Sequence, residues 1–256
     1  MTDTPASDTP ARPLEGRLAL VTGATRGIGR ATALALAEAG AHVIATGRTQ
    51  GALEELDDAI AATGSTATLV PLDILDFAGI DRLGGALYER FGKLDILVGN
   101  AGVLGPMTPL AQIDPKDFEG PLNVNLTANW RLIRSMDPLL RLSDAGRAVF
   151  VSSGAAHKAR AFWGPYAVTK AGLEVLARTW AAETANVSAL KVNLINPGPI
   201  RTRMRARAFP SEDASTLPAP EEVAQAILAL CLPSFAETGR LYDFPSRAFK
   251  EFPVPA

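Results

Sequence analysis

From Leu18 onward, short apolar runs alternate along the chain with stretches of helical length. The runs Leu18–Thr22, His42–Thr46, Ala67–Leu72, Asp95–Gly99, Ala148–Ser152, Lys191–Asn196 and Leu241–Phe244 are mostly apolar and lack strict polar alternation. That is the pattern of strands covered on both faces. Between them, Ile28–Ala39, Gly51–Thr63, Ile80–Phe91, Asp117–Leu142, Tyr166–Ala185 and Pro220–Leu230 are long enough for helices. Gly40 suits the end of the first helix, and Pro220 with Glu221 and Glu222 suits the start of the last. The alternation predicts βαβ units and a doubly wound parallel α/β sheet of about seven strands with helices on both faces. With no internal repeat and no dividing linker, residues 14–245 read as one domain. Residues 1–13 carry Pro5, Pro10 and Pro13 among polar residues and read as a disordered leader; residues 246–256 read as a Pro-bearing tail.

Composition removes several function classes. The 256 residues carry 25 basic and 27 acidic side chains, a formal charge of −2, so there is no sequence-wide basic field for nucleic acid. One cysteine, Cys231, cannot form an intrachain disulfide. With only His42 and His157 besides, the usual zinc ligand sets cannot be assembled, and no metal is expected. No stretch approaches the roughly 18 apolar residues of a membrane span, and the chain start has no apolar signal core. A cytoplasmic, reduced setting is the expectation.

The segment Thr22–Gly29 reads T-G-A-T-R-G-I-G between the first strand and the first helix. Glycines there allow a sharp turn and close approach of phosphate oxygens, while the free N–H groups of the helix start stabilise negative charge. In a dinucleotide fold the end of the second strand faces the adenosine ribose, where an acid selects NAD and an arginine accommodates the 2′-phosphate of NADP. Here that end is Thr46, Gly47, Arg48, with Arg26 as a second cation in the glycine turn. The expected cofactor is NADP(H), with NAD(H) still open.

Tyr166 and Lys170 stand four apart at the start of a helical segment and share one face. An unperturbed phenol has a pKa near 10, and an ammonium within about 4–6 Å favours its ionised form. Thirteen residues earlier, Ser153 ends the fifth strand at the carboxyl edge of the sheet, where such folds bind ligands. Its hydroxyl, or that of Ser152, could donate to a substrate oxygen as charge develops there.

These motifs resemble those of the short-chain dehydrogenase/reductases. The glycine spacing is similar to that family's T-G-x-x-x-G-x-G. Asp73, the Asn100-Ala101-Gly102 segment, the spacing from Ser153 to Tyr166 and Lys170, and the run Asn196–Thr202 follow in the family's order. The resemblance implies a Rossmann fold and hydride transfer between a nicotinamide and a carbonyl or secondary alcohol. It implies Tyr166 as acid/base, Lys170 on the nicotinamide ribose, Ser153 polarising the carbonyl, and Asn125, preferred over Asn123, in a proton relay. The implied cofactor set is Gly23, Thr25, Arg26, Gly27, Ile28, Gly29, Arg48, Asp73, Ile74, Asn100, Ala101, Gly102, Tyr166, Lys170, Pro197, Gly198, Ile200 and Thr202. Among these, Asp73 would bond the adenine, Asn100 would steady the sheet, and Ile200 and Thr202 would contact the nicotinamide amide. Pairing through Asp117–Leu142 and Tyr166–Ala185 into a homodimer or homotetramer is also implied. Two departures are visible: Gly99 stands where the family more often has a second Asn, and the chain after Leu241 lacks the usual Gly-Gly turn.

Substrate contacts are expected from Leu104–Pro109, Gly154–Pro165 and Ile200–Pro218, loops at the carboxyl ends of strands. The stretch Arg201–Leu217 is a candidate lid. Phe162 and Trp163 offer an apolar wall or simply pack beneath the loop. Lys158, Arg160, Arg201, Arg203, Arg205 and Arg207 form either a solvated basic face or an attractor for an anionic substrate. A catalytically silent NADP(H)-binding sensor or scaffold is the alternative to an enzyme, and the full set Ser153, Tyr166, Lys170 and Asn125 favours the enzyme.

Overall fold

The computed structural model describes residues 12–252; nearly all of the expected leader lies outside them. The apolar runs form β1 (Leu18–Thr22), β2 (His42–Gly47), β3 (Ala67–Pro71), β4 (Ile96–Gly99), β5 (Arg147–Val151), β6 (Lys191–Asn196), β7 (Leu241–Asp243) and β8 (Ala248–Lys250). They line up as β3-β2-β1-β4-β5-β6-β7-β8, parallel throughout except for β8. The order reverses between β1 and β4, and at such a switch point the connections leave in opposite directions and open a crevice at the carboxyl edge.

The expected helical stretches appear as α1 (Gly27–Glu38), α2 (Gln50–Ala61), α3 (Phe77–Phe91), α4 (Pro115–Pro121), α5 (Ala128–Arg141), α7 (Gly164–Thr184) and α9 (Pro220–Cys231), while two short helices, α6 (Ala155–Lys158) and α8 (Arg203–Ala208), form within segments expected as loops. One face of the sheet is sealed by Leu36, Leu53, Leu56, Ile60 and Ile227, the other by Leu87, Leu132, Met136, Leu173 and Trp180. Alanines bring α1 and α9 together, with Ala31, Ala35 and Ala224 buried between them. Cys231 ends α9 inside the core, where burial pushes its thiol up to about 12, so it is packing and not a nucleophile.

Two expectations change. The single helix expected over Asp117–Leu142 is interrupted: residues Leu122–Thr127 form a wider π-helical turn between α4 and α5. Pro121 has no N–H to continue the regular ladder, and the extra residue is absorbed just after it. The expected tail is also corrected, because its first residues return as β8. After a 3₁₀ turn over Phe244–Ser246, Arg247 takes the left-handed conformation (φ 53°) and reverses the chain. Phe249 then packs on Tyr242 and Phe235, with ring centroids 5.3 and 5.9 Å away.

The absent second asparagine at Gly99 has a packing cause. Gly99 pairs with Phe150 across β4 and β5, and a Cβ there would lie 2.3 Å from Phe150 Cδ1 and 2.8 Å from Asn129 Oδ1. Gly99→Ala should therefore lower stability by about 1–3 kcal/mol through overpacking, measured by urea unfolding. The double variant Gly99→Ala/Phe150→Leu should lose less than the two single losses added, because the smaller side chain vacates the contested space.

Candidate active site

The glycine turn closes the crevice at the β1–β4 seam. Gly23 and Gly27 have φ of +64° and +55°, conformations that cost a residue with a Cβ. A Cβ on Gly29 would lie 2.3 Å from the Gly23 carbonyl oxygen and 2.4 Å from Asn100 Nδ2, so this glycine serves the packing of helix on turn. Gly27 is different: its nearest neighbour would be Thr202 Cγ2 at 3.4 Å, across a crevice bounded by the segment after β6. Arg26 stands at the N-cap of α1 and makes no side-chain capping bond, which leaves the first N–H groups of α1 uncapped by it. This cradle, with its glycines and free donors, fits a dinucleotide pyrophosphate.

Asn100 holds the turn in place. Its Nδ2 donates to the carbonyls of Thr22 (2.8 Å) and Gly23 (3.3 Å), while Thr22 Oγ1 accepts from the N–H groups of Asn100 and Ala101 at 3.0 and 3.1 Å. Thr25 and Ile28 are half-buried in the turn, and Thr25 lies so close over Gly47 that a Cβ there would be 2.5 Å from its Cγ2. Arg26 and Arg48 are exposed, with no ion-pair partner among the described residues. Asp73 is exposed beside half-buried Ile74, and its Oδ1 accepts from the Leu75 N–H. Across the crevice, Pro197 and Ile200 are buried, Gly198 is in the left-handed region (φ 71°), and Thr202 caps α8 by accepting from the Arg205 N–H.

The proton-transfer candidates converge at the carboxyl edge of β5. Tyr166 and Lys170 lie on one face of α7, both buried, with Lys170 Nζ 5.8 Å from the Tyr166 ring centroid and donating to the Val151 carbonyl at 2.7 Å. Ser153 lines the adjoining cavity, whereas Ser152 is buried and donates to Glu174 Oε1. Asn125 is fully buried in the π-helical turn. Its Oδ1 accepts from the Val103 N–H (2.8 Å), and its Nδ2 donates to the Val103 carbonyl (2.9 Å) and to Thr169 Oγ1 (3.0 Å). A Cβ on Gly102 would be 3.2 Å from Asn125 Oδ1 and 3.7 Å from Lys170 Nζ, so the two groups border one small space. Asn123, two residues away, is exposed.

Burial sets the electrostatics. It pushes the Tyr166 phenol above its ordinary value, with the nearby Ser153 hydroxyl acting in the opposite sense. It pulls the Lys170 ammonium down to about 8, against the Glu174 carboxylate. For the phenol, desolvation is the larger influence and the Ser153 hydroxyl is what opposes it.

Sequence reasoning missed Glu174. It sits four residues after Lys170 on the same helix face, buried, with Ser152 on one oxygen and His157 Nε2 2.8 Å from the other. Burial raises its carboxyl, offset by Ser152 and His157. Asn196, named in the sequence only as the start of the Asn196–Thr202 run, had no role assigned: its Oδ1 accepts from the Gly154 and Gly198 N–H groups at 2.8 and 3.1 Å, and its Nδ2 donates to Asp243 at 2.6 Å. The available signals were the i+4 and i+8 spacing of Glu174 from Lys170 and Tyr166, and the strand-end position of Asn196.

The chain is similar to known proteins in both sequence and fold. A family model for short chain dehydrogenase matches residues 17–213; the chain belongs to the short-chain dehydrogenase/reductases, oxidoreductases that act on CH–OH or C=O groups with NAD(P). The oxidoreductase YciK of Escherichia coli K12 is 38% identical over 213 residues, 82% of this chain and 84% of YciK. A short chain dehydrogenase structure from Pseudomonas syringae aligns at a TM-score of 0.88 with 38% identity, covering 95% of this chain and 99% of that one. Another, from Escherichia coli CFT073 and complexed with NADPH, aligns at 0.87 with 37% identity, covering 92% and 99%. Among the described residues, no helix is long and apolar enough to cross a membrane.

The depressed Lys170 value has a measurable sign. Between about pH 8 and the ordinary lysine value of 10.5 the unfolded chain binds this proton and the folded chain does not, so stability from this group rises with pH. In Lys170→Met that rise should vanish. The wild-type-minus-variant difference in unfolding free energy, measured without cofactor, should climb across this window by about 1 kcal/mol per pH unit.

Proposed function

We propose that the protein is an NADP(H)-dependent oxidoreductase that interconverts a carbonyl compound and a secondary alcohol. The observation that carries this reading is the buried Tyr166 beside Lys170 and Ser153, at the carboxyl edge of a sheet whose switch point holds the glycine cradle. Gly23, Gly27 and the first N–H groups of α1 hold the pyrophosphate. Arg48 and Arg26, exposed and free of carboxylate partners among the described residues, meet the 2′-phosphate. The NADPH-complexed relative from Escherichia coli CFT073 supports the same choice. Asp73 receives the adenine, and Ile200 and Thr202 border the nicotinamide end. The nicotinamide, when bound, supplies or accepts the hydride.

The chain's own residues manage the proton. A phenol pushed above its ordinary value is protonated at neutral pH, so Tyr166 stands ready as the acid that protonates the carbonyl oxygen during reduction. Ser153 donates a hydrogen bond to that oxygen as negative charge builds on it. Lys170 holds its ammonium close to the phenol and binds the ribose. Asn125, pinned to Val103 and Thr169, shapes the end of the relay beside Lys170. The exposed Trp130 on α5 and Val168 and Val175 on α7 support pairing of two copies through these helices.

Tyr166→Phe should cut carbonyl-dependent NADPH oxidation by at least about 100-fold while NADPH still binds, as followed by its fluorescence; substantial residual reductase activity would sink the mechanism. For the cofactor, Arg48→Ser should lower kcat/KM for NADPH about tenfold or more, the loss expected for one charge-assisted bond. Its kcat/KM for NADH should hardly move, and an equal fall for both cofactors would remove the 2′-phosphate contact.

A further inference from the structure

Beyond Tyr166 a cavity of about 590 Å³ opens between the loop after β5, the segment after β6 and the C-terminal hairpin, a volume suited to a small organic ligand. Its aromatic wall runs on from the proton donor. The Trp163 ring lies 5.9 Å from that of Tyr166 and 5.7 Å from that of Phe209.

Two guanidinium groups lie over this wall, and only one is neutralised. Arg205, 3.7 Å from the Phe209 centroid, is clamped by Glu212, with Nε 2.6 Å from a carboxylate oxygen. Arg160 lies 5.0 Å from the Phe209 centroid and 5.9 Å from that of Trp163, and neither it nor Lys158 has an ion-pair partner among the described residues. A guanidinium stacked on rings keeps its N–H edge free for a planar bidentate acceptor. The backbone around Arg160 is also constrained: Ala159 and Phe162 have φ of 40° and 71°, left-handed conformations that residues with side chains adopt only where their surroundings impose them.

The charge balance indicates what would bind. Lys158, Arg160, Arg205 and Lys250 face Asp243 and Glu251 of the lining and Glu212 behind it, while His157 is matched by Glu174. One positive charge is left over, which suits a monoanion better than a dianionic phosphate. We propose that Arg160, assisted by Lys158, recognises a carboxylate on the substrate, so that the compound reduced is an oxo acid with an apolar or aromatic body. This rests on the reductase reading above and adds the substrate class to it.

The test is NADPH oxidation by the wild-type enzyme and Arg160→Gln with 4-oxo-4-phenylbutyrate, its methyl ester and a phosphate monoester of matching length. The wild type should favour the acid over the ester at least tenfold in kcat/KM, mainly through KM, and Arg160→Gln should cut that ratio at least tenfold. An equal loss on acid and ester would make Arg160 a strut between the loop and α8 and overturn the subsite. A preference for the phosphate monoester would overturn the carboxylate assignment. Reduction of all three without preference would retire the subsite and leave the reductase reading standing. If none is reduced, calorimetric titration of the oxo acid into the NADP⁺-saturated enzyme separates the two ideas. Binding weakened at least tenfold by Arg160→Gln upholds the carboxylate site alone, and no binding overturns both.

Discussion

The seam between β1 and β4 is the constraint on which the rest of the molecule depends. All but the last strand run in one direction, so their carboxyl ends share an edge, and only where the strand order reverses does that edge open. Thr22 and Asn100 join the two sides through four hydrogen bonds that involve both backbone and side chains. This fixes the glycine turn as a surface of N–H donors before any ligand arrives, and a preorganised site spends little of its binding energy on ordering itself. Val151, whose carbonyl accepts from Lys170, ends β5, the neighbour of β4, so the cluster of Ser153, Tyr166 and Lys170 lies one strand further along the same edge from the glycine turn.

Burial governs the chemistry at that edge more than pairing does. Desolvation moves Tyr166 and Lys170 toward their neutral forms, the phenol up and the ammonium down. This is the state that the proposed role of Tyr166 as the proton donor in reduction requires. Glu174 sits behind the cluster as a counterweight, tied to Ser152 and His157 on either side of Ser153. One buried carboxyl group thereby anchors the loop that presents the serine to the helix that carries the tyrosine and lysine.

Much of this was legible in the sequence, for reasons of physics. Strands covered by helices read as apolar runs, and a turn that approaches phosphates must use glycine, so β1 to β7 and the glycine turn stood out, although β3 is only half-buried at its edge of the sheet. Tyr166 and Lys170 were visible because helical periodicity places residues four apart on one face. The rest depends on contacts between neighbouring strands or on local backbone conformations that leave no mark on the hydrophobic pattern. Gly99 is explained by the ring of Phe150 on the neighbouring strand. The π-helical turn at Asn125 is a local response to Pro121 that leaves the hydrophobic pattern unchanged. β8 exists because Arg247 adopts a left-handed conformation, for which composition provides no cue. The role open to Arg160 emerges only once Glu212 is seen to claim the neighbouring guanidinium of Arg205.

The C-terminal hairpin has a consequence for how the molecule is made. Gly198, on the segment after β6 that borders the crevice, accommodates Pro245 so tightly that a Cβ would lie 2.4 Å from the ring, and Asp243 is bonded to Asn196. The glycine cradle is among the first parts of the domain to be synthesised, yet the wall opposite it is held by residues near its far end. On the ribosome, β1, α1 and β2 emerge long before β7 and β8, so the contacts of Pro245 and Asp243 with the segment after β6 can form only when nearly all of the domain has been made. The wall of the crevice after β6 is thus braced by the last strands of the sheet to be made.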